Sequence, residues 1–187
     1  MQKKDQLRKK YLKIRKNKYF EVKNDYFKPL FLFLKKKFKK RKIYLSFYYP
    51  SNYEVNIIKF LRIIEKNNNI ISLLPVIVSE DSIKFSKWNI FDTLKVNKYG
   101  MLEPAENKNF LIPDILLVPL LAFDKRNYRL GYGKGYYDRF LNKYLKINKN
   151  ILTIGVAFSF QKHDKLPTSN YDVKLDYILT EKGMNLA

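Results

Sequence analysis

Short apolar runs alternate along this chain with longer segments in which apolar residues recur every three or four positions. The runs have the length and the branched side chains of buried strands, and they cover residues 43–49, 70–78, 115–118 and 151–157. The longer segments have helical spacing and cover residues 3–16, 25–42, 55–66 and 137–145. Because strands and helices alternate throughout, the pattern predicts an α/β fold whose mostly parallel sheet is covered by helices on both faces.

Three details of this pattern are specific enough to compare with a structure. Leu7, Tyr11 and Ile14 form one apolar stripe on the first helix. Pro29 either breaks the second helix or occupies its first turn, where a proline is tolerated. Residues 82–88 alternate loosely between apolar and polar side chains and are predicted to form an edge strand.

The length of 187 residues suits a single domain spanning residues 1–187. The absence of cysteine excludes disulfides, thiolate catalysis and Cys-ligated metal sites. The charged N-terminal segment 1–10 is not followed by an apolar stretch, so no secretory signal is predicted. The densest apolar run, Leu30 to Leu34, is too short to span a bilayer. We therefore expect a soluble, cytoplasmic protein without a membrane partner.

The net charge of +21 has two explanations. Clustered lysines neutralise phosphates and release counterions, so a basic chain can be a nucleic-acid-binding module. In this chain the lysines are dispersed, and Asn, Ile, Tyr and Phe are also plentiful; all of these residues have AT-rich codons, so mutational bias produces the same excess. The one compact basic run, residues 35–42, reads KKKFKKRK. A solvated basic face is favoured, and no specific nucleic-acid partner is expected.

Residues 115–141 carry the clearest candidate chemistry. The apolar strand ends at Pro119, and a polar loop then leads to three glycines at alternate positions before a helical pattern begins. The glycines are Gly131, Gly133 and Gly135. Backbone N–H groups of such a loop and the N-terminus of the following helix converge on one anion, and glycine permits close approach and positive φ. Arg129 and Lys134 flank the glycines and add positive charge.

Two well-known phosphate loops do not match this spacing. A P-loop requires Ser or Thr after its lysine, and neither follows Lys134. The dinucleotide fingerprint requires G-x-G-x-x-G, whereas this chain has G-x-G-x-G. From spacing alone, an ordinary glycine turn therefore remains as good an explanation as a phosphate site.

The complete string AFD-x-x-x-x-RLG-x-G-x-GYYDRFL is more specific than its glycines. It resembles the signature of the 5-formyltetrahydrofolate cyclo-ligase family, also called 5,10-methenyltetrahydrofolate synthetases. The resemblance implies a three-layer α/β/α fold and a reaction that uses ATP and Mg²⁺ to close 5-formyltetrahydrofolate into 5,10-methenyltetrahydrofolate. The family usually has Gly two positions before the Arg of RLG, where this chain has Asn127. Asn is the next-best residue for a left-handed turn, so this position is predicted to have positive φ.

Shorter matches extend the resemblance towards both ends of the chain. K-x-x-L-R near the N-terminus matches Lys4, Leu7 and Arg8, which implies contacts to ATP phosphates. Glu54 matches a folate-binding Glu of the family, although on its own it would be a favourable charge at the start of the helix 55–66. Glu103, in the G-x-x-E-P match, is either a loop carboxylate that fixes local backbone or part of the substrate site.

The resemblance implies roles for individual residues. Arg129 and Lys134 would be catalytic. The ATP-binding residues would be Lys4, Arg8, Arg129, Gly131, Gly133, Lys134, Gly135, Tyr136 and Tyr137. The folate-binding residues would be Tyr49, Glu54, Phe85, Trp88, Glu103 and Tyr137, with 5-formyltetrahydrofolate and its polyglutamylated forms as substrates. Asp138 and Asp172 would bind Mg²⁺, because this ion takes one or two carboxylates beside the phosphates; otherwise Asp138 is a helix N-terminal carboxylate.

Overall fold

The computed structural model describes residues 2–39, 41–64, 69–106, 109–144, 146–147 and 151–186. Eight strands form one sheet in the order β12-β11-β10-β7-β1-β2-β3-β6. The five strands from β11 to β2 pair in parallel, and the pairs at both ends of the sheet are antiparallel. These strands are β1 Ile43–Ser46, β2 Ile70–Ile77, β3 Ile83–Lys87, β6 Phe110–Leu111, β7 Ile115–Pro119, β10 Leu152–Val156, β11 Tyr177–Thr180 and β12 Gly183–Leu186.

Two further hairpins lie outside the large sheet, and four α-helices and two 3₁₀ turns complete the described elements. The hairpin strands are β4 Leu94–Val96 with β5 Leu102–Pro104, and β8 Ala122–Phe123 with β9 Arg129–Leu130. The helices are α1 Gln2–Lys18, α2 Lys28–Phe38, α3 Ile58–Ile64 and α4 Tyr136–Tyr144, and the 3₁₀ turns are Asn24–Phe27 and Ser159–Gln161. Among these helices, none combines the length and apolarity needed to cross a bilayer.

Helices cover both faces of the sheet, as β7 shows. Its side chains alternate between faces, as they must in a strand. Ile115 and Leu117 belong to the core formed with α2 and α3, whereas Leu116 and Val118 belong to the core formed with α4. The predicted α/β class, with a mostly parallel sheet between helical layers, is therefore confirmed.

The first helix packs on the β8–β9 hairpin instead of on the large sheet. Its stripe of Leu7, Tyr11 and Ile14 meets apolar side chains of that hairpin, such as Ala122 and Leu130. The predicted stripe is confirmed. Because β9 leads directly into the glycine segment, this packing holds the basic face of α1 beside that segment.

Several predicted boundaries are corrected by the structure. The helix predicted from residue 55 begins at Ile58, since Val55 lies in irregular backbone and Ile57 in a turn, although both side chains are buried. Residues 65 and 66 of that prediction lie outside the described residues. The strand β3 is not an edge strand, since β6 pairs with its outer side. Pro29 lies in the first turn of α2, so the second of its two interpretations is confirmed.

The tight packing of β10 predicts a stability effect at Gly155. A Cβ there would lie 2.7–2.9 Å from side-chain carbons of Leu120, Leu175 and Ile178. We expect Gly155→Ala to lower the free energy of unfolding by about 1–3 kcal/mol, because an overpacked core must shift to make room. Gly131→Ala is the matched control, since nothing lies within 4 Å of its added Cβ. Urea denaturation measures both variants, and equal stability of Gly155→Ala and wild type would contradict the packing argument.

Candidate functional site

A cavity of about 620 Å³ lies at the carboxyl edge of the parallel strands. Pro119 at the end of β7, Ile77 at the end of β2 and Tyr49 just after β1 all line it. In open α/β sheets this edge is where ligands bind, because strand ends and loops meet there. The glycine segment and the start of α4 form another part of the wall.

The glycine segment is shaped by two residues with left-handed backbone. Gly133 has φ +102° and Gly135 has φ +68°, whereas Gly131 lies outside the left-handed region. Arg8 lies against the segment: its Nε donates to the Gly131 carbonyl oxygen at 3.0 Å. A Cβ on Gly133 would lie only 3.1 Å from Arg8 Cζ, so glycine is required there both by conformation and by space. Asn127 has φ +60°, which confirms the predicted left-handed turn.

A buried ion pair ties the beginning of this segment to the first turn of α4. Arg129 donates to Asp138 Oδ1 at 2.8 Å and to the Val173 carbonyl oxygen at 3.0 Å, and its side chain is only 3% exposed. Asp138 Oδ1 also accepts the Val173 N–H at 3.1 Å. Burial lowers the pKa of Arg129, and the nearby Asp138 carboxylate opposes that shift. These contacts close the glycine segment into a loop.

The other predicted cations reach the same cavity from separate elements. Lys4 of α1 lies 2.6 Å from Asp172 Oδ2, which also accepts hydrogen bonds from Ser169. Burial alone would raise the pKa of Asp172, but the hydrogen bonds from Lys4 and Ser169 lower it. Lys134 lies over the Tyr99 ring at 5.3 Å and has no carboxylate partner among the described residues.

The two predicted metal ligands, Asp138 and Asp172, both line this cavity. In their contacts each uses one carboxylate oxygen, Oδ1 of Asp138 and Oδ2 of Asp172. Across the described residues, no group of three or more His, Cys, Asp or Glu side chains could enclose a metal ion. A divalent cation held here would therefore need oxygen ligands from a bound substrate and from water as well, which is how Mg²⁺ is usually bound.

The rest of the cavity wall is aromatic and apolar. Six tyrosines line it: Tyr48, Tyr49, Tyr99, Tyr132, Tyr136 and Tyr137. Met101, Leu102 and Ile83 add apolar surface. Such a wall suits a flat heterocycle, because rings stack on aromatic faces and hydroxyl groups supply hydrogen bonds at the rim.

Glu54 is a buried carboxylate in the cavity wall, close to these aromatic residues. It is 7% exposed and accepts hydrogen bonds from the Ser51 N–H at 2.9 Å and from the Tyr132 hydroxyl at 2.5 Å. Burial raises its pKa, although Arg15 and the Tyr132 hydrogen bond partly oppose the shift. Since α3 begins four residues later, the interpretation of Glu54 as a helix N-terminal charge is wrong.

Three predicted folate-binding residues do not line the cavity. Phe85 is completely buried and its ring packs edge-on against Phe140 of α4. Trp88 is 2% exposed and contacts the back of Tyr49, so it supports a cavity residue from the core. Glu103 accepts hydrogen bonds from the Ile77 N–H at 3.2 Å and from the Asn97 side chain at 3.1 Å. These contacts fit its interpretation as a carboxylate that fixes local backbone.

Sequence reasoning assigned no role to several side chains that the structure places at the site. Arg15 and Tyr132 contact each other, and Tyr132 contacts Glu54. Arg15 shares a helix face with Lys4 and Arg8, and Tyr132 lies between two of the glycines. These positions, next to predicted site residues, could have identified Arg15 and Tyr132 as site residues from the sequence. Tyr99, in contrast, comes from the β4–β5 hairpin, whose strands were not predicted from the hydrophobic pattern.

Asp124 anchors the loop that precedes the glycine segment. Its fully buried carboxylate accepts hydrogen bonds from the backbone N–H groups of Arg126 at 3.0 Å, Tyr128 at 3.2 Å and Leu166 at 3.0 Å, and pairs with the Arg126 guanidinium. Burial alone would raise the pKa of Asp124, but these hydrogen bonds lower it. The aspartate of the AFD string is therefore a structural carboxylate.

Fold and site together define an α/β protein whose cavity is lined by a glycine loop with neighbouring cations and by aromatic side chains. The profile of the 5-formyltetrahydrofolate cyclo-ligase family matches residues 1–181. A 5-formyltetrahydrofolate cyclo-ligase from Mycoplasma pneumoniae is 36% identical over 138 residues, which cover 74% of this chain and 73% of that one. The chain belongs to the 5-formyltetrahydrofolate cyclo-ligase family, a family of ligases.

Solved structures agree with this assignment. An NMR structure of 5,10-methenyltetrahydrofolate synthetase from Aquifex aeolicus superimposes with a TM-score of 0.74 at 33% identity, covering 98% of this chain and 92% of that chain. A 5,10-methenyltetrahydrofolate synthetase from Mycoplasma pneumoniae has a TM-score of 0.70 at 30% identity, covering 94% and 97%. The three-layer fold of this chain is the fold of those enzymes.

The contacts of Asp124 predict a pH-dependent loss of stability. We expect Asp124→Asn to lower the free energy of unfolding by about 1–3 kcal/mol at pH 7, because one acceptor oxygen becomes an NH₂ group that cannot accept from the buried N–H donors. The folded-state pKa is lowered, so the carboxylate stabilises the fold above the unfolded pKa of about 3.9. That contribution disappears as the pH falls through the folded value.

Urea unfolding between pH 7 and pH 2 measures this difference. The wild type and Asp124→Asn should converge in acid. Asp164→Asn is the control, since Asp164 is exposed in the same loop region and should change stability by less than about 0.5 kcal/mol. A gap between wild type and Asp124→Asn that persists unchanged at the lowest pH would contradict the assignment.

Proposed function

We propose that this protein uses ATP and Mg²⁺ to convert 5-formyltetrahydrofolate into 5,10-methenyltetrahydrofolate, with release of ADP and phosphate. The observation that carries the proposal is that the glycine loop, its neighbouring cations and a set of aromatic side chains all line one cavity. Relatives named for this reaction support it. Polyglutamylated forms of the folate belong to the same proposed substrate class.

The glycine loop and the basic face of α1 would bind the phosphates of ATP. The N–H groups of residues 131–135 and the N-terminus of α4 form the cradle. Lys4 and Arg8 would add charge from one side, and Lys134, which has no carboxylate partner among the described residues, from the other. Arg129 already pairs with Asp138, so its proposed part at the ATP site is to hold the cradle closed.

The aromatic half would bind the folate. The pterin ring would stack among the tyrosines, and the Glu54 carboxylate would accept hydrogen bonds from the pterin N–H groups. Glu54 suits this role because its carboxylate accepts hydrogen bonds from Ser51 and Tyr132, which orient it towards the cavity. Tyr137 lies next to Asp138 in the first turn of α4, between the two halves of the cavity, and would contact both substrates.

The proposed chemistry begins with transfer of the γ-phosphoryl group of ATP to the formyl oxygen. N10 then attacks the activated formyl carbon and loses its proton to the departing phosphate, and the C–O bond breaks as that phosphate leaves and the ring closes. No protein nucleophile is required. The chain's own contribution is positioning and charge stabilisation, which dominate enzymatic phosphoryl transfer. Lys134 is our choice for the residue that stabilises charge on the group being transferred.

Asp138 and Asp172 fit a magnesium ion that arrives with ATP. Each keeps one carboxylate oxygen without a hydrogen-bond partner among the described residues, and Mg²⁺ commonly takes one or two carboxylates beside phosphates. When bound, the ion would neutralise charge on the phosphate oxygens. The two aspartates also hold Arg129 and Lys4, so they would orient cations and metal around the same phosphates.

Turnover tests this function directly. We expect purified protein with ATP, Mg²⁺ and 5-formyltetrahydrofolate to produce the near-ultraviolet absorbance of the methenyl product, with one ADP released per folate consumed. Omission of ATP should abolish the signal. No methenyl product from well-folded protein would refute the proposal.

A variant of the basic run on α2 distinguishes an enzyme from a nucleic-acid-binding protein. Lys35, Lys36 and Lys39 are exposed on or just after α2 and do not line the cavity. Replacing them with Gln should reduce salt-sensitive polyanion binding and leave turnover within about twofold of wild type. A wild type without turnover, whose tight and sequence-selective nucleic-acid complex is lost in this variant, would support the binder instead.

The glycine loop predicts a specific loss of ATP affinity. Gly133→Val should raise the Kd for Mg-ATP at least about tenfold, because the new side chain strains a left-handed residue and displaces Arg8. Gly183→Val is the matched control, since Gly183 is also left-handed (φ +120°) but is the first residue of β12 and does not line the cavity. Calorimetry measures both variants. Unchanged ATP affinity in folded Gly133→Val would show that the loop does not cradle phosphate.

A further inference from the structure

A chain of hydrogen bonds connects α1, the glycine loop and Glu54. Arg15 Nη2 lies 2.5 Å from the Tyr132 hydroxyl oxygen, and its guanidinium carbon lies 5.5 Å from the centre of the Tyr132 ring. The Tyr132 hydroxyl in turn lies 2.5 Å from Glu54 Oε1. Tyr132 and Glu54 are 78 residues apart in the chain, so this contact is made only by the fold.

The direction of the donors in this chain is fixed by chemistry. A guanidinium group can only donate, so the Tyr132 oxygen must accept from Arg15. The single hydroxyl hydrogen of Tyr132 is then left for Glu54, whose ionised carboxylate can only accept. Burial and the neighbouring Glu54 raise the pKa of Tyr132, so the phenol keeps its proton.

Arg15 is the rigid end of this chain of hydrogen bonds. It is 1% exposed, and besides Tyr132 it donates to the carbonyl oxygens of Asn52 at 2.9 Å and Leu120 at 3.1 Å. Asn52 and Tyr53 both have positive φ, +48° and +62°, and they immediately precede Glu54. Arg15 therefore braces a strained turn and the hydroxyl that contacts the carboxylate after that turn.

Tyr132 also belongs to the phosphate loop by its backbone. It lies between Gly131, whose carbonyl oxygen accepts from Arg8, and Gly133, which contacts Arg8. About 39% of the Tyr132 surface is exposed and lines the cavity, while its hydroxyl lies between Arg15 and Glu54. One stiff side chain thus spans from the loop proposed for ATP to the carboxylate proposed for folate.

We propose that Tyr132 is a positioning residue that couples the two substrate sites, with Arg15 as its anchor. Occupation of the glycine loop fixes the Tyr132 ring and thereby holds Glu54 in the orientation that accepts the pterin N–H groups. Binding of either substrate then favours binding of the other. This inference rests on the proposed function, because it assigns ATP to the loop and folate to Glu54.

The test measures the Kd of 5-formyltetrahydrofolate with and without β,γ-imido-ATP and Mg²⁺. In the wild type the analogue should tighten folate binding at least about fivefold, and by linkage folate should tighten analogue binding by the same factor. Tyr132→Phe keeps the ring and removes the hydroxyl, so the factor should fall below about twofold. Arg15→Lys keeps the charge without the forked donor and should give an intermediate factor.

The pH dependence of folate binding gives a second readout that loss of stability would not move. The titratable or charged groups facing Glu54 are Arg15, Tyr48, Tyr132 and Tyr137. Only the ionised carboxylate accepts from the pterin, so binding should weaken as the pH falls. Without the Tyr132 hydroxyl the ionised form loses a donor, and the midpoint of that weakening should move to higher pH.

Tyr11→Phe is the matched control. It removes another tyrosine hydroxyl from the protein, one that contacts His163 at 3.0 Å and the Lys162 carbonyl oxygen at 3.3 Å and does not line the cavity. Tyr11→Phe should retain the wild-type coupling factor and pH midpoint. Wild-type values in folded Tyr132→Phe, or no coupling in the wild type, would overturn the inference while methenyl turnover still supported the function. Absence of methenyl product from the wild type would overturn the function itself.

Discussion

The buried ion pair between Arg129 and Asp138 is the constraint on which the site depends. These residues begin and end the glycine loop, and the Arg129 side chain is almost fully enclosed. A buried charge that loses its partner destabilises a protein by several kcal/mol, so the loop stays closed as long as the pair exists. Both members also contact the backbone of Val173, which places the neighbouring Asp172 beside Lys4. One ion pair thus aligns the loop, the C-terminal segment and α1.

Most of the cations around the glycine loop are paired with carboxylates. Lys4 has Asp172, Arg8 has Asp5, and Arg129 has Asp138. This arrangement holds the cations in place without leaving them to repel each other. A polyphosphate with a divalent cation matches it well, because the phosphates attract the cations while the metal takes the carboxylates. Preorganisation of this kind would lower the reorganisation needed during the proposed phosphoryl transfer.

Sequence patterns predicted the features of this protein that depend on local sequence. The buried strand before the loop, the apolar stripe of α1 and the left-handed Asn127 follow from spacing and backbone preference, and the structure confirms them. The surroundings of Glu54 could not be predicted in this way. Its partner Tyr132 is far away in sequence, the helix after it begins only at Ile58, and the turn before it is a strained one that Arg15 braces. The positions of Phe85 and Trp88 could not be predicted either, because the sequence pattern does not distinguish an aromatic ring in the core from one that lines the cavity.

The central claim is that the formyl oxygen becomes the acceptor of the phosphoryl group inside this cavity. The most direct measurement uses 5-formyltetrahydrofolate labelled with ¹⁸O in the formyl group, followed by mass spectrometry of the phosphate released during turnover with ATP. Our account predicts that each phosphate formed in step with methenyl product carries one ¹⁸O atom. Unlabelled phosphate, with the label recovered in water, would contradict it, because ATP hydrolysis and ring closure would then be separate events.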